Sequence, residues 1–430
     1  MKKAFFLAIL LFANASYAAL PIQHWQTASG ARVLFVENHD LPMVDFKVEF
    51  QAGSGRDTPD KSGLASMTNR MMQLGAGSLT EDQVSGKLAD IGAEFGGDFN
   101  RDMGGFSLRV LSAKEPEAAG ILAKVLGSPE FEDRILEREK KKRIAEIREK
   151  EADPGSIAEK NFYRLLYGNH PYALPPEGET GTVEALKRED LLDFYRSHYT
   201  AGREVIAIVG DLTRSEAEAA ATQLSEGLPP DRAIPDLPAV ELPGKAVDEA
   251  IPNPSKQSHI LMGYVGMTYG DPDYFPLLVG NYVLGGGGFE SRLLNEVREK
   301  RGLAYSVYSY FFPLEGRGPF KVGLQTRREK TAEALGIVKK TVDDFVSKGP
   351  TEKDLDAAKE NLIGGFPLRI DSSRKIVDYL ALIGFYRLPL TYLDDFRKNV
   401  DAVTVSSIRD AFSRRIKPQD MVTVIVGSGG

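Results

Sequence analysis

The chain has 430 residues, of which 61 are acidic and 54 basic, for a formal charge of −7, and 42% are hydrophobic. An acidic balance without basic runs argues against nucleic acid as a partner. The complete absence of cysteine removes disulfides, thiolate zinc sites, Cys nucleophiles and a lipidated N-terminal cysteine in one step.

The N-terminus, MKKAFFLAILLFANASYAAL, carries two lysines, an apolar run from Ala4 to Ala13, and small residues at Ser16 and Ala18. It reads as a secretory signal peptide over residues 1–18. The run is shorter than the ~20 residues a bilayer span needs, and no later stretch comes close, so no transmembrane anchor is expected. Cleavage after Ala18 removes Lys2 and Lys3 and leaves 412 residues with a formal charge of −9. The expected location is a bacterial periplasm, and a secreted protein would read the same.

Residues 62–78, SGLASMTNRMMQLGAGS, have a helical apolar pattern but place Ser66, Asn69 and Arg70 along one stripe. From Gly227 to Lys245 the chain reads GLPPDRAIPDLPAVELPGK, with five prolines and no helical or strand period, which marks an inter-domain linker. The linker separates two parts of similar size, each ending in the same unit: LLDFYRSHYTAGREVIAIVGD in the first and IRDAFSRRIKPQDMVTVIVGS in the second. In both, an amphipathic helix precedes a turn and an alternating β-branched strand closed by Gly. The expected organisation is a signal peptide (1–18), an N-terminal domain (19–226), a linker (227–247) and a C-terminal domain (248–430). The fold class is α+β, with a duplicated domain of roughly 200 residues built as a mixed sheet with helices packed on it.

A hydrolase without cysteine would most simply use zinc, water and carboxylates. The five histidines are His24, His39, His170, His198 and His259, and no two stand three to five apart, so no local His pair can face a metal. His39 and His170 read more simply as turn or surface residues than as ligands. A distant Ser-His-Asp site stays open, although no G-x-S-x-G elbow supports one.

From Leu284 to Phe312 the chain reads LGGGGFESRLLNEVREKRGLAYSVYSYFF. The glycines lack the Lys-Ser/Thr of a phosphate loop. A helix from about Glu290 ends at Gly302, and a strand follows. Arg298 then lies in the last turn and Tyr305 three residues past the cap. Such a pair can converge on one point and donate hydrogen bonds to a carbonyl oxygen that is gaining negative charge. Equally, Arg298 reads as one solvated charge in a run and Tyr305 as one aromatic among several on a sheet.

The segment SRLLNEVREKRGLAYSVYSY resembles the C-terminal-half signature of the pitrilysin and insulinase family of zinc peptidases, which includes the mitochondrial processing peptidase. The resemblance implies two duplicated α+β domains in each chain. It also implies that Arg298 and Tyr305, seven positions apart, bind a substrate carbonyl. Zinc-binding members carry G-L-A-H-x-x-E-H in the N-terminal half. Here Gly63-Leu64-Ala65 match, but Ser66 stands for the first His, Asn69 for the Glu and Arg70 for the second His. The third family ligand, a Glu some seventy-odd residues later, matches Glu146. Ser and Asn are poor zinc ligands and a guanidinium cannot deprotonate to become one, so no metal is expected in this chain. We expect Arg70 to stand in the metal's place and pair with Glu146.

The resemblance therefore points to the non-zinc subunit of a periplasmic heterodimeric metalloendopeptidase. Zinc would sit in a homologous partner carrying His-x-x-Glu-His. Peptide substrates would add to a sheet edge, and the strand matching GGDFNRDMGGFSLRVL, with Asn100, is the candidate edge. The alternatives are a non-catalytic peptide-binding or scaffold protein with a peptidase-like fold, and a hydrolase using a distant triad.

Overall fold

Two sheets form, one from each half of the chain, in the computed structural model, which describes residues 20–427. The expected signal peptide lies outside these residues. The first half contributes β1 (Gln23–Gln26), β2 (Arg32–Glu37), β3 (Met43–Phe50), a separate ribbon of β4 (Gly75–Ala76) and β5 (Leu79–Thr80), then β6 (Glu94–Phe99), β7 (Gly104–Leu111) and β8 (Glu204–Gly210). The second contributes β9 (Val247–Ile251), β10 (Gln257–Val265), β11 (Ala304–Phe311), β12 (Pro319–Arg327) and β13 (Val422–Val426).

The strand orders are β1-β2-β8-β3-β7-β6 and β11-β12-β10-β13-β9. In each sheet a single parallel pair, β2 with β8 and β9 with β13, is followed by antiparallel neighbours. Reading outward, β2, β8, β3, β7 and β6 therefore correspond to β9, β13, β10, β12 and β11. The duplicated wiring matches the α+β architecture expected from the repeated helix-turn-strand ends, whose strands are β8 and β13. It also makes β6 and β11 equivalent edge strands. No helix or strand forms between residues 227 and 246.

The halves are locked by a reciprocal exchange of helices. The helices that concern the site are α1 (Leu64–Met72), α2 (Asp133–Ala152), α3 (Pro154–Tyr167) and α4 (Ser373–Phe385). Pro154 cannot continue α2, and Asp153 in extended conformation caps α3 by accepting a hydrogen bond from the Ser156 N–H at 2.7 Å. The break turns α3 away from its own half: Ala158, Phe162 and Leu166 pack on Leu261, Val265, Val422, Val424 and Val426 of the second sheet. In return α4 lays Ile376, Val377, Leu380 and Ala381 on Leu34, Val36, Val205, Ala207 and Val209 of the first. Each of the Val, Leu, Ile and Phe side chains among these, fully buried, contributes about 1.5 to 3 kcal/mol.

Asp102, in the turn between β6 and β7, ties the same junction with polar contacts. It accepts from the Tyr172 hydroxyl, from the Tyr386 hydroxyl at 2.8 Å and from the Glu315 N–H at 2.7 Å. No helix among the described residues is long and apolar enough to cross a membrane.

Candidate functional site

Helix α1 begins where it does because of two residues. Gly63 adopts φ +92°, and a Cβ there would fall 2.7 Å from the Glu177 carbonyl oxygen, so only glycine fits. Asp57, buried, accepts from the Gly63 and Ala65 N–H groups at 2.8 Å each and so satisfies two orphan donors of the first turn. Burial pushes its carboxyl up to about 7, and the two backbone bonds offset part of that.

Leu64, Met67, Met71 and Met72 of α1 enter the core, while the stripe of polar residues is held by specific partners. The Ser66 hydroxyl donates to the Gly63 carbonyl at 3.2 Å and accepts from Arg143 Nη1 at 3.4 Å. Asn69 donates through Nδ2 to the Gly105 carbonyl on β7 at 3.0 Å and to the Tyr199 hydroxyl at 3.4 Å. It can lie this close to the sheet because Gly97 on β6 has no Cβ; one there would meet Asn69 Oδ1 at 2.8 Å.

Arg70 does not pair with Glu146. Its Nε lies 3.1 Å from Oε2 of Glu139, two turns earlier on α2. Glu146 instead pairs with Arg143 of its own helix at 3.3 Å. The reason is burial. The Glu139 side chain is 6% exposed and the Glu146 side chain 48%, so Glu139 is the carboxylate that cannot be left without a cation. Arg138 adds a second contact at 2.8 Å. Burial alone would raise the Glu139 carboxyl, but the Arg70 and Arg138 guanidiniums outweigh it and hold it below its ordinary value.

Met67, Arg70, Glu139, Lys142, Arg143 and Glu146 line one pocket of about 240 Å³. Three cations face two carboxylates there, and the donors on α1 are a hydroxyl, an amide and a guanidinium. This set does not fit zinc, which takes thiolate, imidazole or carboxylate ligands. No group of three His, Cys, Asp or Glu that could hold a metal occurs among the described residues. Each carboxylate there faces a cation of its own, Glu146 with Arg143 and Glu139 with Arg70.

Asn100 follows β6, which is the sheet edge expected for GGDFNRDMGGFSLRVL. Its Oδ1 accepts from the N–H groups of Asp102 at 2.8 Å and Met103 at 2.9 Å, so the amide shapes the turn.

The second constellation lies on the C-terminal half. A helical turn, Arg292–Leu294, widens into a π-helical turn, Asn295–Glu299, and closes at Gly302 with φ +60°. The Gly302 N–H donates to the Arg298 carbonyl and the Leu303 N–H to the Val297 carbonyl. The chain then enters β11 through a bulge: Ala304 pairs with Thr326 and Val307 with Leu324, so Tyr305 and Ser306 together oppose one residue. The bulge turns Tyr305 outward, 85% exposed, and sets its ring centre 4.8 Å from Arg298 Cζ. Phe289, 70% exposed, lies 4.9 Å from the same carbon. Arg298 thus lies close to two aromatic rings, with Glu299 Oε1 at 3.3 Å. No hydrogen bond or ion pair among the described residues joins this group to Ser66, Asn69 or Arg70.

Glu139, Arg143 and Phe289 are not among the site residues expected from the sequence. The seven-residue spacing of Glu139 and Glu146 puts both on one helical face, and Arg143 three before Glu146 shares it. Phe289 gave no signal beyond an aromatic after a glycine run. Of the histidines, His39 is on the surface between Glu37 and Asp211, whereas His170 is a buried turn residue bonded to the Pro238 carbonyl.

Comparison with known proteins gives the family. The insulinase family, peptidase family M16, matches residues 32–179, and the peptidase M16 inactive domain matches residues 185–362. A solved peptidase M16 inactive domain from Pseudomonas fluorescens is 39% identical, with a TM-score of 0.92, over 96% of this chain and 98% of that one. The non-peptidase homolog YmxG of Helicobacter pylori is 27% identical over 100% of this chain and 99% of its own length. The uncharacterized zinc protease YmxG of Bacillus subtilis is 24% identical over 95% and 99%. The chain belongs to the insulinase (M16) family, as a peptidase-like member whose own zinc-site positions hold no zinc ligands on α1.

Proposed function

We propose that this chain is the non-zinc subunit of a heterodimeric zinc metalloendopeptidase of the periplasm, the location resting on the N-terminal sequence alone. A homologous partner carrying His-x-x-Glu-His would hold the zinc. This chain would add Arg298 and Tyr305, whose guanidinium and hydroxyl donate to the substrate carbonyl oxygen as it gains charge. The observation that carries the reading is the contrast between the halves. The α1 stripe has lost every zinc-binding function, while Arg298 and Tyr305 remain assembled with the tyrosine 85% exposed. A half-buried Arg298 beside the exposed Phe289 and Tyr305 also has the composition of a surface that meets another chain.

The test is native purification from a periplasmic extract of the source, with mass-spectrometric identification of what co-elutes at twice the monomer mass. A stoichiometric partner with His-x-x-Glu-His supports the split enzyme. A monomer or homodimer moves the assignment to the second reading, a non-catalytic peptide-binding or scaffold protein, which similarity to a non-peptidase homolog favours.

A further inference from the structure

A second pocket, of about 380 Å³, opens between the end of α2, the outer face of α3 and the loop at 173–178. It neighbours the α1 site, since Ile147 follows Glu146 and the Glu177 carbonyl backs Gly63. Its apolar walls are Ile147, Ile157, Pro175 and Pro176, and Arg101 enters it from the turn after β6.

Arg101 is the cation of this pocket that has no ion pair among the described residues. Its Cζ lies 3.8 Å from the centre of the Tyr163 ring, which fixes the guanidinium plane, and its Nε is buried without a hydrogen-bond partner among the described residues. The other two cations in the lining are neutralised, Lys150 by Glu177 and Lys160 by Glu179. Glu159 is taken by Lys321 at 2.8 Å. The carboxylate of neighbouring Asp102 is turned to Tyr172, Tyr386 and Glu315. Glu151 is exposed at the rim. A half-buried guanidinium held flat, with apolar walls beside it, suits one ligand chemistry: a carboxylate attached to an apolar group.

We propose that this pocket binds the C-terminal residue of a peptide, its carboxylate on Arg101 and its apolar side chain on Ile147, Ile157 and Pro175. The solvent-open rim lets the rest of the peptide leave the pocket. The inference goes beyond the Arg298–Tyr305 reading and stands without it, because binding is read on this chain alone.

The experiment is fluorescence anisotropy of the full chain with an N-terminally labelled hexapeptide ending in Leu, as free acid and as C-terminal amide. The acid should bind about tenfold or more tightly than the amide. Arg101→Gln should abolish that difference, and Arg298→Ala should leave it intact. The acid-amide comparison needs no variant, so it holds even if Arg101→Gln folds poorly. Equal binding of acid and amide, or no binding of either, overturns the proposal. Full displacement by N-acetyl-leucine at the peptide's own concentration assigns the pocket to a small free acid and overturns the peptide reading.

Discussion

The Arg298 guanidinium carbon lies 4.8 Å from the centre of the Tyr305 ring, and a bulge in the edge strand β11 brings the two together. Because the Phe289 ring also lies 4.9 Å from the guanidinium carbon, Phe289→Ala should leave Arg298 less fixed. The expected outcome is a several-fold loss of kcat/KM in the reconstituted complex. Phe289 and Tyr305 are exposed, so stability should change by no more than about 0.5 kcal/mol for Phe289→Ala or Tyr305→Phe, measured by urea denaturation.

The α1 site makes a prediction about regaining zinc. Ser66→His, Asn69→Glu and Arg70→His together restore the family's ligand types, yet Arg143 still sits 3.3 Å from Glu146 and 3.4 Å from the residue 66 hydroxyl position. The triple variant should therefore hold zinc weakly, and adding Arg143→Leu should tighten binding by about tenfold or more by removing a cation from beside the metal. Zinc per chain after gel filtration, read by atomic emission, checks this.

The Arg70–Glu139 pair has a pH signature. Glu139 has a lower pKa folded than its ordinary 4.5, so it favours the folded state most when ionised. The stabilisation is fully present above that ordinary value and is lost as pH falls through the folded one. Arg70→Ala should destabilise the chain by about 1.5 to 3 kcal/mol at pH 7, with Arg138 keeping the loss from being larger. The gap between wild type and variant should narrow below pH 4.5. Denaturation midpoints at pH 7 and in acid decide it; a gap that does not change with pH contradicts the pairing.

Exchange of α3 and α4 should make the halves one cooperative unit. Leu380→Ala, at a fully buried position against the first sheet, should cost about 2 to 5 kcal/mol. Its calorimetric trace should keep a single endotherm, shifted down as a whole. Two separate transitions would mean that the halves fold independently.

Much of this was legible in the sequence where the signal was local. The β-branched runs of β8 and β13, the prolines of the linker, Gly302 and the lost ligands at Ser66, Asn69 and Arg70 are each written in a few consecutive residues. What was not legible depends on packing between distant segments. The choice of Glu139 over Glu146 by Arg70 follows from burial, which helix periodicity alone does not rank. Both α3 and α4 look like ordinary amphipathic helices of their own halves, and nothing local says that each covers the other half's sheet. Arg101 and Phe289 stand out only once Tyr163 and Arg298 are beside them.

The most direct test of the central claim is kcat/KM for peptide hydrolysis by the reconstituted complex of this chain and its zinc-binding partner, with Arg298→Ala introduced here. The account predicts a loss of about 10²-fold or more with zinc content and complex stability unchanged. Unaltered hydrolysis in that variant would contradict it, and would leave this chain a scaffold for chemistry performed wholly by its partner.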